Sequence, residues 1–234
     1  MPTIMKSGSD DKPHNYFQNV RQEMLDYVPK STKRVLEVGC GEGIFAAAIK
    51  HSRNAECWGI EIESVAASKA KQTLDKVLVG DIVDLLPKLP NDYFDLIVFN
   101  DVLEHMVDPF FVLASIQSKL TPKGYVLSSI PNIRYFHTLY ALVMGGEWEY
   151  QESGILDRTH LRFFTTKSIQ NMYTRLGYKI IKHVGINPIP TVPKQLKLAN
   201  LIGRDRFDDT QYEQFATLAQ VTSAGRKIHA QPTT

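Results

Sequence analysis

The chain has 234 residues, enough for a domain with a sizeable core, and its 27 basic and 25 acidic residues leave a net charge of only +2, which gives no strong field for nucleic acid or an anionic membrane. Two cysteines, Cys40 and Cys57, exclude a disulfide framework and a four-thiolate metal site. The first residues lack a signal-peptide segment, and no run approaches the roughly 18 apolar residues that span a bilayer, so we expect a cytoplasmic location, no membrane insertion and no nucleic-acid partner.

Short apolar strands alternate with helical segments up to residue 131. The predicted strands are RVLEVGC, ECWGIEI, KVLVGDI, FDLIVFND and GYVLSSIP, at 34–40, 56–62, 76–82, 94–101 and 124–131. Helices are predicted at 43–52, 63–74 and 109–120. This alternation predicts an α/β fold, doubly wound around a mostly parallel sheet.

The regular alternation ends at residue 131. The predicted elements beyond it are a helix at 132–146, an aromatic insertion, a helix at 165–177 with a threonine N-cap and Gly177 at its end, and strands at 178–186 and 215–224. We therefore predict a single domain over 1–234 with substrate-side insertions at 131–164 and 187–212. Residues 1–12 and 228–234 are predicted to be disordered.

A glycine-rich loop follows the first strand in the stretch VLEVGCGEGIF, at residues 35–45. Gly39, Gly41 and Gly43 occupy alternate positions, and Glu37 lies two residues before the first of them. A dinucleotide loop has the spacing G-x-G-x-x-G and receives a pyrophosphate. The Glu37 carboxylate would repel a pyrophosphate but suits a cationic ligand such as S-adenosylmethionine, which carries a sulfonium and an ammonium group. A tight strand-to-helix turn alone would also explain the glycines.

Two further acids mark the ends of the next two predicted strands. Glu61 ends the second strand and Asp81 ends the third. Ligands of doubly wound sheets bind at these carboxyl ends, where Glu61 can accept hydrogen bonds from ribose hydroxyls and Asp81 one from an adenine amino group. Ile62 and Ile82 are placed to sandwich the adenine. One such acid could be a solvated residue or a helix cap, but three at successive strand ends favour an adenosine-bearing cofactor.

The motifs VLEVGCGEG, GIE, VGDI and FDLIVFNDVLEHMVDP resemble those of the class I S-adenosylmethionine-dependent methyltransferases, over residues 16 to about 185. SIPN and ILDRTHLRFFTTKSI are similar to a bacterial group associated with glycan or secondary-metabolite pathways. The resemblance implies seven strands, the last antiparallel, and S-adenosylmethionine as cofactor. The residues expected to bind the cofactor are those at the motif positions and those next to them: Glu37, Gly39, Gly41, Gly43, Glu61, Ile62, Asp81, Ile82, Asn100 and Tyr16.

Two segments hold candidate catalytic residues for methyl transfer, which requires an aligned nucleophile, exclusion of water and often removal of a proton. His105, just after the fourth strand, is a candidate general base because imidazole has an ordinary pKa of about 6.5. In LDRTHLRFF, His160 is an alternative base, Arg158 is a candidate for binding an anionic substrate, and Asp157 is a polar residue of the predicted substrate mouth. Packing beneath a helix for His105, and a structural salt-bridge network for the second segment, are the alternatives.

The same two segments also suggest a metal site. Asp101, Glu104, His105 and His160 offer two carboxylates and two imidazoles, which could hold a divalent ion that activates a substrate hydroxyl. The set looks like the metal arrangement of small-RNA 2′-O-methyltransferases and partly like that of ubiquinone-pathway O-methyltransferases, with Asp101 in place of a glutamate.

The sequence favours methyl transfer from S-adenosylmethionine to a small molecule, with a hydroxyl oxygen of a metabolite or glycan as the expected acceptor. The alternatives are N- or C-methylation, RNA or protein methylation, and an NAD-binding or non-catalytic module. The absence of a run of basic residues argues against RNA as the substrate, and the G-x-G-x-G spacing with Glu37 argues against NAD as the bound cofactor. A homodimer is the expected assembly if the protein self-associates.

Overall fold

A seven-stranded sheet organises the computed structural model, which describes residues 21–203 and 206–223. The strands are β1 Arg34–Val38, β2 Glu56–Glu61, β3 Lys76–Val79, β4 Phe94–Asn100, β5 Leu120–Pro131, β6 Tyr178–Pro188 and β7 Tyr212–Val221. Their order is β3-β2-β1-β4-β5-β7-β6; the first five pair in parallel, and β7 is antiparallel to β5 and β6. The predicted mostly parallel, doubly wound sheet with an antiparallel last strand is confirmed.

Helices cover both faces of the sheet. They are α1 Gln22–Leu25, α2 Ile44–Arg53, α3 Ser64–Ala70, α4 Ile82–Leu85, α5 Pro109–Ser115, α6 Phe136–Tyr140, α7 Thr166–Arg175 and α8 Lys194–Gly203. Buried residues of α1, α2 and α3 belong to one apolar cluster, and those of α4, α5 and α7 to another. None of the helices in the described ranges is long and apolar enough to cross a membrane.

The central strands are apolar on both sides because both clusters contact them. In β4, Leu96 and Val98 pack into the α2 cluster, whereas Ile97 and Phe99 pack into the α5 cluster. Successive side chains of a strand point to opposite faces, so a parallel strand covered by helices on both faces becomes a continuous apolar run. This packing on both faces holds the central strands in place, and the site lies at their carboxyl ends.

The structure adds three helices, α1, α4 and α8, to the predicted elements. The short helix α4 directly follows Asp81, whose carboxylate Oδ1 caps it by accepting the backbone N–H of Val83 at 2.7 Å. Helix α8 lies in the predicted insertion at 187–212. Leu196 is its only buried residue, so its apolar residues do not form one buried face, which explains the absence of a clear period in the sequence.

The helix predicted over 132–146 begins later, at Phe136, and continues as a wider helical turn over Ala141–Gly145. Asn132 prevents an earlier start because its side chain accepts the N–H of Arg134 and donates to the carbonyls of Asp209 and Tyr212. Helix α7 matches its prediction closely. Thr165 and Ser168 form a reciprocal capping box at its start, and Gly177 follows its end with a φ of 77°.

His183 of β6 is a half-buried titratable group that links pH to stability. Its ring nitrogens lie 2.9 Å from the Thr217 hydroxyl and 2.8 Å from the Thr166 hydroxyl, and its ring stacks on Phe215. Burial lowers the pKa of His183 from 6.5 to about 4. Between these two pH values the unfolded chain binds a proton that the folded chain does not, so stability is lost as the pH falls from 6.5 towards 4.

We predict that His183→Gln reduces this loss of stability in acid. The free energy of unfolding, measured by urea denaturation at pH 7.5 and pH 5, should fall less in the variant, by roughly 1 kcal/mol after allowance for partial exposure. His51→Gln, on the exposed end of α2, is the matched control and should behave like the wild type. An identical pH dependence in wild type and His183→Gln would contradict the prediction.

Candidate cofactor and acceptor site

The glycine loop is held against the end of β2 by three backbone N–H groups. Gly39 and Cys40 both donate to the Ile60 carbonyl oxygen, at 2.8 and 3.0 Å, and Gly41 donates to the Glu61 carboxylate at 2.7 Å. Glu61 also accepts the N–H of Glu63 at 2.9 Å. Each carboxylate oxygen of Glu61 therefore accepts one protein hydrogen bond and has capacity for a second, as the predicted contact with ribose hydroxyls requires.

Gly39 is required by two features of this loop. Its φ of +69° lies in the left-handed region, and a Cβ atom on it would come within 2.6 Å of Val102 Cγ2. Gly43 has a φ of +81° and directly precedes α2. The loop thus crosses from β1 to α2 while its backbone stays close to the segment after β4.

A cleft of about 470 Å³ opens above the ends of β1, β2 and β3. Five predicted cofactor residues line it: Gly39, Glu61, Ile62, Asp81 and Ile82. The side chains of Ile62 and Phe111 are 62% and 50% exposed in this lining, so the cleft offers apolar surface to a flat ring. Its volume lies in the range of small-molecule and cofactor sites.

Glu37 and Asn100 lie together behind this cleft. Glu37 accepts the Ala46 N–H at 3.1 Å and the Asn100 side-chain amide at 3.2 Å. The Oδ1 atom of Asn100 is buried and has no hydrogen-bond partner in the part of the chain that is described. An ammonium group would satisfy this orphaned acceptor, so the pair fits the amino-acid end of S-adenosylmethionine.

Burial raises the pKa of Glu37 to about 8, the neighbouring Glu61 adds to the rise, and the hydrogen bonds from Ala46 and Asn100 and the charge of Arg21 oppose it. At neutral pH, Glu37 is therefore largely protonated before a cation arrives. A positive ligand beside it would favour the carboxylate and displace the proton.

Arg21 is a site residue that sequence reasoning missed. Its guanidinium pairs with Asp101 and donates to the Gln214 side chain at 2.9 Å and to Glu23 at 2.8 Å. A single arginine ahead of the first strand carries no motif, and only the tertiary structure brings it to the end of β4. The predicted contact of Tyr16, and the predicted disorder of 1–12 and 228–234, lie outside the described residues.

A second, polar cavity of about 80 Å³ adjoins the cleft. The side chains of both predicted catalytic segments line it: Asp101, Glu104 and His105 from the first, and Asp157 and His160 from the second. The Glu104 carbonyl oxygen joins the segments by accepting the N–H groups of Leu161 and Arg162 at 2.9 and 3.0 Å. His105 lines both the cleft and the cavity, so it stands at their boundary.

The contacts of His105 determine which ring nitrogen carries its proton. Nδ1 lies 3.1 Å from both the carbonyl and the hydroxyl oxygen of Thr159. The Thr159 hydroxyl donates to Asp157 Oδ1 at 2.6 Å, so it can only accept from His105. Nδ1 therefore holds the proton, and Nε2 is the basic nitrogen. Asp157 acts on His105 through Thr159.

His160 is oriented in the same way. It is 8% exposed, and its Nδ1 lies 2.9 Å from the Ile155 carbonyl oxygen, which can only accept, so Nε2 is again the basic nitrogen. The two imidazole rings are 4.6 Å apart. One ligand atom from each of Glu104, His105 and His160 lies within 4.8 Å of the others.

Asp101, a predicted metal ligand, and Arg158, a predicted substrate-binding residue, are engaged by other parts of the chain. Asp101 lines the polar cavity, but its carboxylate is engaged by Arg21, by the Ser129 hydroxyl at 2.9 Å and by the Gln214 amide at 3.1 Å, so it is not grouped with the other three metal candidates. Arg158 does not line the cavity: its side chain is 58% exposed and pairs with Glu152. The expected contact of Arg158 with an anionic substrate has no support from this placement.

Comparison with known proteins agrees with this geometry. A family described as Methyltransferase domain matches residues 12–183. The chain is 30% identical over 217 residues to the ubiquinone biosynthesis O-methyltransferase of Pseudomonas aeruginosa, covering 88% of this chain and 90% of that protein. It is 26% identical over 193 residues to the protein of the same name from Chromobacterium violaceum, covering 79% and 82%. A SAM-dependent methyltransferase structure from Archaeoglobus fulgidus has a TM-score of 0.65 at 20% identity and covers 87% of this chain and 94% of its own, which shows the shared fold.

We predict that S-adenosylmethionine binding releases a proton from Glu37. Because its pKa is about 8, the apo site should release roughly one proton at pH 7, and affinity should rise with pH up to about 8 and then level off. Calorimetry at pH 7 in buffers of different ionisation enthalpy measures this release. Glu37→Gln should abolish the buffer dependence, and a wild type without any buffer dependence would contradict the prediction.

Proposed function

Because the chain belongs to the methyltransferase-domain family and is an S-adenosylmethionine-dependent methyltransferase, we propose that it methylates a hydroxyl oxygen of a small-molecule acceptor whose reacting end enters the polar cavity. The observation that carries this proposal is the position of His105. It borders the cofactor cleft on one side and the polar cavity on the other, with Nε2 as its basic nitrogen.

The cofactor would lie in the cleft and supply an electrophilic methyl group. The loop at Gly39, the carboxylates of Glu61 and Asp81, and the apolar side chains of Ile62 and Ile82 would hold the adenosine. Glu37 and Asn100 would receive its ammonium group. Arg21, whose positive charge acts on Glu37 and which pairs with Asp101, would balance the carboxylate of the cofactor.

His105 would remove the proton of the acceptor hydroxyl. A methyl transfer to oxygen leaves that proton to be accepted, and a neutral imidazole with an oriented Nε2 suits the task. Thr159 and Asp157 would position the ring through Nδ1, so Asp157 is a positioning residue. The name of the relatives from Pseudomonas and Chromobacterium supports oxygen as the acceptor atom.

The insertion at 131–164 would form the acceptor side of the site. It supplies Pro131, Ile155, Asp157 and His160 to the cavity lining. Trp148 is 39% exposed and packs edge-on against Phe163, which leaves ring surface for an acceptor outside the small cavity. The cavity itself, at about 80 Å³, admits only a few heavy atoms.

We predict that His105→Asn lowers kcat about 100-fold or more while S-adenosylhomocysteine affinity changes little, because a general base contributes about 10²–10⁴-fold. The assay measures S-adenosylhomocysteine release with a panel of phenols, sugars and amines, and mass spectrometry identifies the methylated atom. His51→Asn is the control. Products methylated only at nitrogen, or no product with any hydroxyl acceptor despite tight cofactor binding, would overturn the proposal.

Thr159 offers a matched pair that separates positioning from packing. Thr159→Val keeps the shape but loses the hydroxyl between His105 and Asp157, so kcat should fall about tenfold and the acidic limb of the pH–rate profile should move. Thr159→Ser keeps the hydroxyl and should restore both. Equal effects of the two substitutions would show that the hydroxyl is not what matters.

A second candidate arrangement is a divalent metal ion held by Glu104, His105 and His160. The donor set fits one: both imidazoles have Nδ1 held by a backbone carbonyl, as metal-binding histidines commonly do, and the carboxylate lies in the same group of ligand atoms. One carboxylate and two imidazoles suit a first-row transition metal. Such an ion would polarise the acceptor hydroxyl.

We predict that the protein, after treatment with a chelator and dialysis, binds Mn²⁺ detectably by electron paramagnetic resonance. His160→Gln and Glu104→Gln should each weaken that binding at least about tenfold. Asp101→Asn should not, because the Asp101 carboxylate is already engaged by Arg21. The arrangement is excluded if the wild type binds no Mn²⁺ and transfers methyl groups at the full rate in excess chelator.

A further inference from the structure

Glu213, near the start of β7, lines the polar cavity although no motif marks it. The antiparallel pairing of β7 with β5 brings it there: Gln214 is the register partner of Pro131, and both line the same cavity. The Glu213 carbonyl oxygen also accepts the N–H of Asn132 at 2.8 Å, which fixes this end of the strand. Its side chain is only partly exposed and therefore lies at the rim.

The cavity is strongly acidic. Four of its lining residues are acidic, Asp101, Glu104, Asp157 and Glu213, and within residues 21–203 and 206–223 no lysine or arginine lines it. The first three have a partner: Asp101 has Arg21, Glu104 lies 4.0 Å from His160 Nε2, and Asp157 accepts from Thr159. The Glu213 carboxylate accepts no hydrogen bond from any residue of the described ranges.

Glu213 is held in a position that disfavours its own charge. Burial raises its pKa, and the neighbouring Asp101 raises it further, while Arg21 opposes the rise. A partly buried acidic side chain beside a reactive group, with a perturbed pKa, is a candidate for contact with a ligand. Within residues 21–203 and 206–223, no hydrogen bond or ion pair of the chain uses this carboxylate.

We propose that Glu213 selects the acceptor by charge: it accepts a hydrogen bond from a hydroxyl or ammonium group on the part of the acceptor away from the reacting hydroxyl, and it repels acceptors that carry a carboxylate there. The inference rests on the proposed function and narrows its substrate class to neutral or cationic hydroxyl compounds. The acidic lining supports this selection, because an anion at the rim would lie beside four acidic residues and no lining lysine or arginine within residues 21–203 and 206–223.

The test uses three phenols of similar size whose para substituents differ in charge: 4-ethylphenol, tyramine and 4-hydroxyphenylacetate. Their dissociation constants are measured by calorimetry with saturating S-adenosylhomocysteine. Wild type should bind tyramine and 4-ethylphenol at least about tenfold more tightly than the acid. Glu213→Gln should weaken tyramine about tenfold and bring the acid closer to the other two, whereas Glu213→Asp should keep the wild-type order.

Glu149→Gln is the matched control, because it removes the same charge from an exposed position away from the cavity. Affinity ratios among the three phenols that stay the same in Glu213→Gln as in wild type would overturn the proposal. So would a fall of more than about threefold in S-adenosylhomocysteine affinity, which would indicate a structural role. Failure of wild type to bind any of the phenols while binding S-adenosylhomocysteine also overturns it but leaves the methyltransferase assignment intact; loss of both would overturn the proposed function.

Discussion

The hydrogen bonds between the glycine loop and the end of β2 are the constraint on which the cofactor cleft depends. Two backbone N–H groups converge on the Ile60 carbonyl, and a third reaches the Glu61 carboxylate. These bonds keep the loop against the end of β2 and out of the cleft. They also hold Gly39 so close to Val102 that a Cβ atom would not fit between them. The same carboxylate that anchors the loop faces the cleft, so the support of the loop and the expected contact with ribose reside in one side chain. Parallel strands make this possible because their carboxyl ends lie at one edge of the sheet.

The polar cavity depends on a second, more distant connection. The Glu104 carbonyl receives the amides of Leu161 and Arg162, so that a short helical turn after β4 and an irregular segment nearly sixty residues later become one wall. His105 and His160 face each other because of this connection, and Thr159 and Asp157 orient the first of them. The hydrogen bonds from His105 to Thr159 and from Thr159 to Asp157 thereby leave Nε2 as the basic nitrogen of His105. The chemistry proposed for His105 follows from this orientation rather than from its residue type alone.

Negative charge is distributed unevenly through the site, and the distribution has a physical logic. Glu37 is buried and largely protonated at neutral pH, Asp101 is neutralised by Arg21, and Glu61 is stabilised by two backbone amides. Each acid of the cofactor side is therefore neutral, paired or hydrogen-bonded before any ligand binds. The acceptor side differs, because the Glu213 carboxylate accepts no hydrogen bond from the described residues and only the nearby charge of Arg21 opposes the rise of its pKa. A site built in this way attracts a cationic donor of methyl groups and discriminates among acceptors by their charge.

The sequence by itself determined the order of strands and helices, the glycine loop and the acids at the strand ends, because local periodicity and the position of turns encode them. It also identified the two segments that form the polar cavity. It could not indicate that Asp101 would pair with Arg21 or that Arg158 would lie on the surface, since each outcome depends on which neighbour the folded chain brings near. Glu213 illustrates the limit most clearly. It lies in a strand with no motif, and only the antiparallel pairing of β7 with β5 places it among the residues that line the cavity.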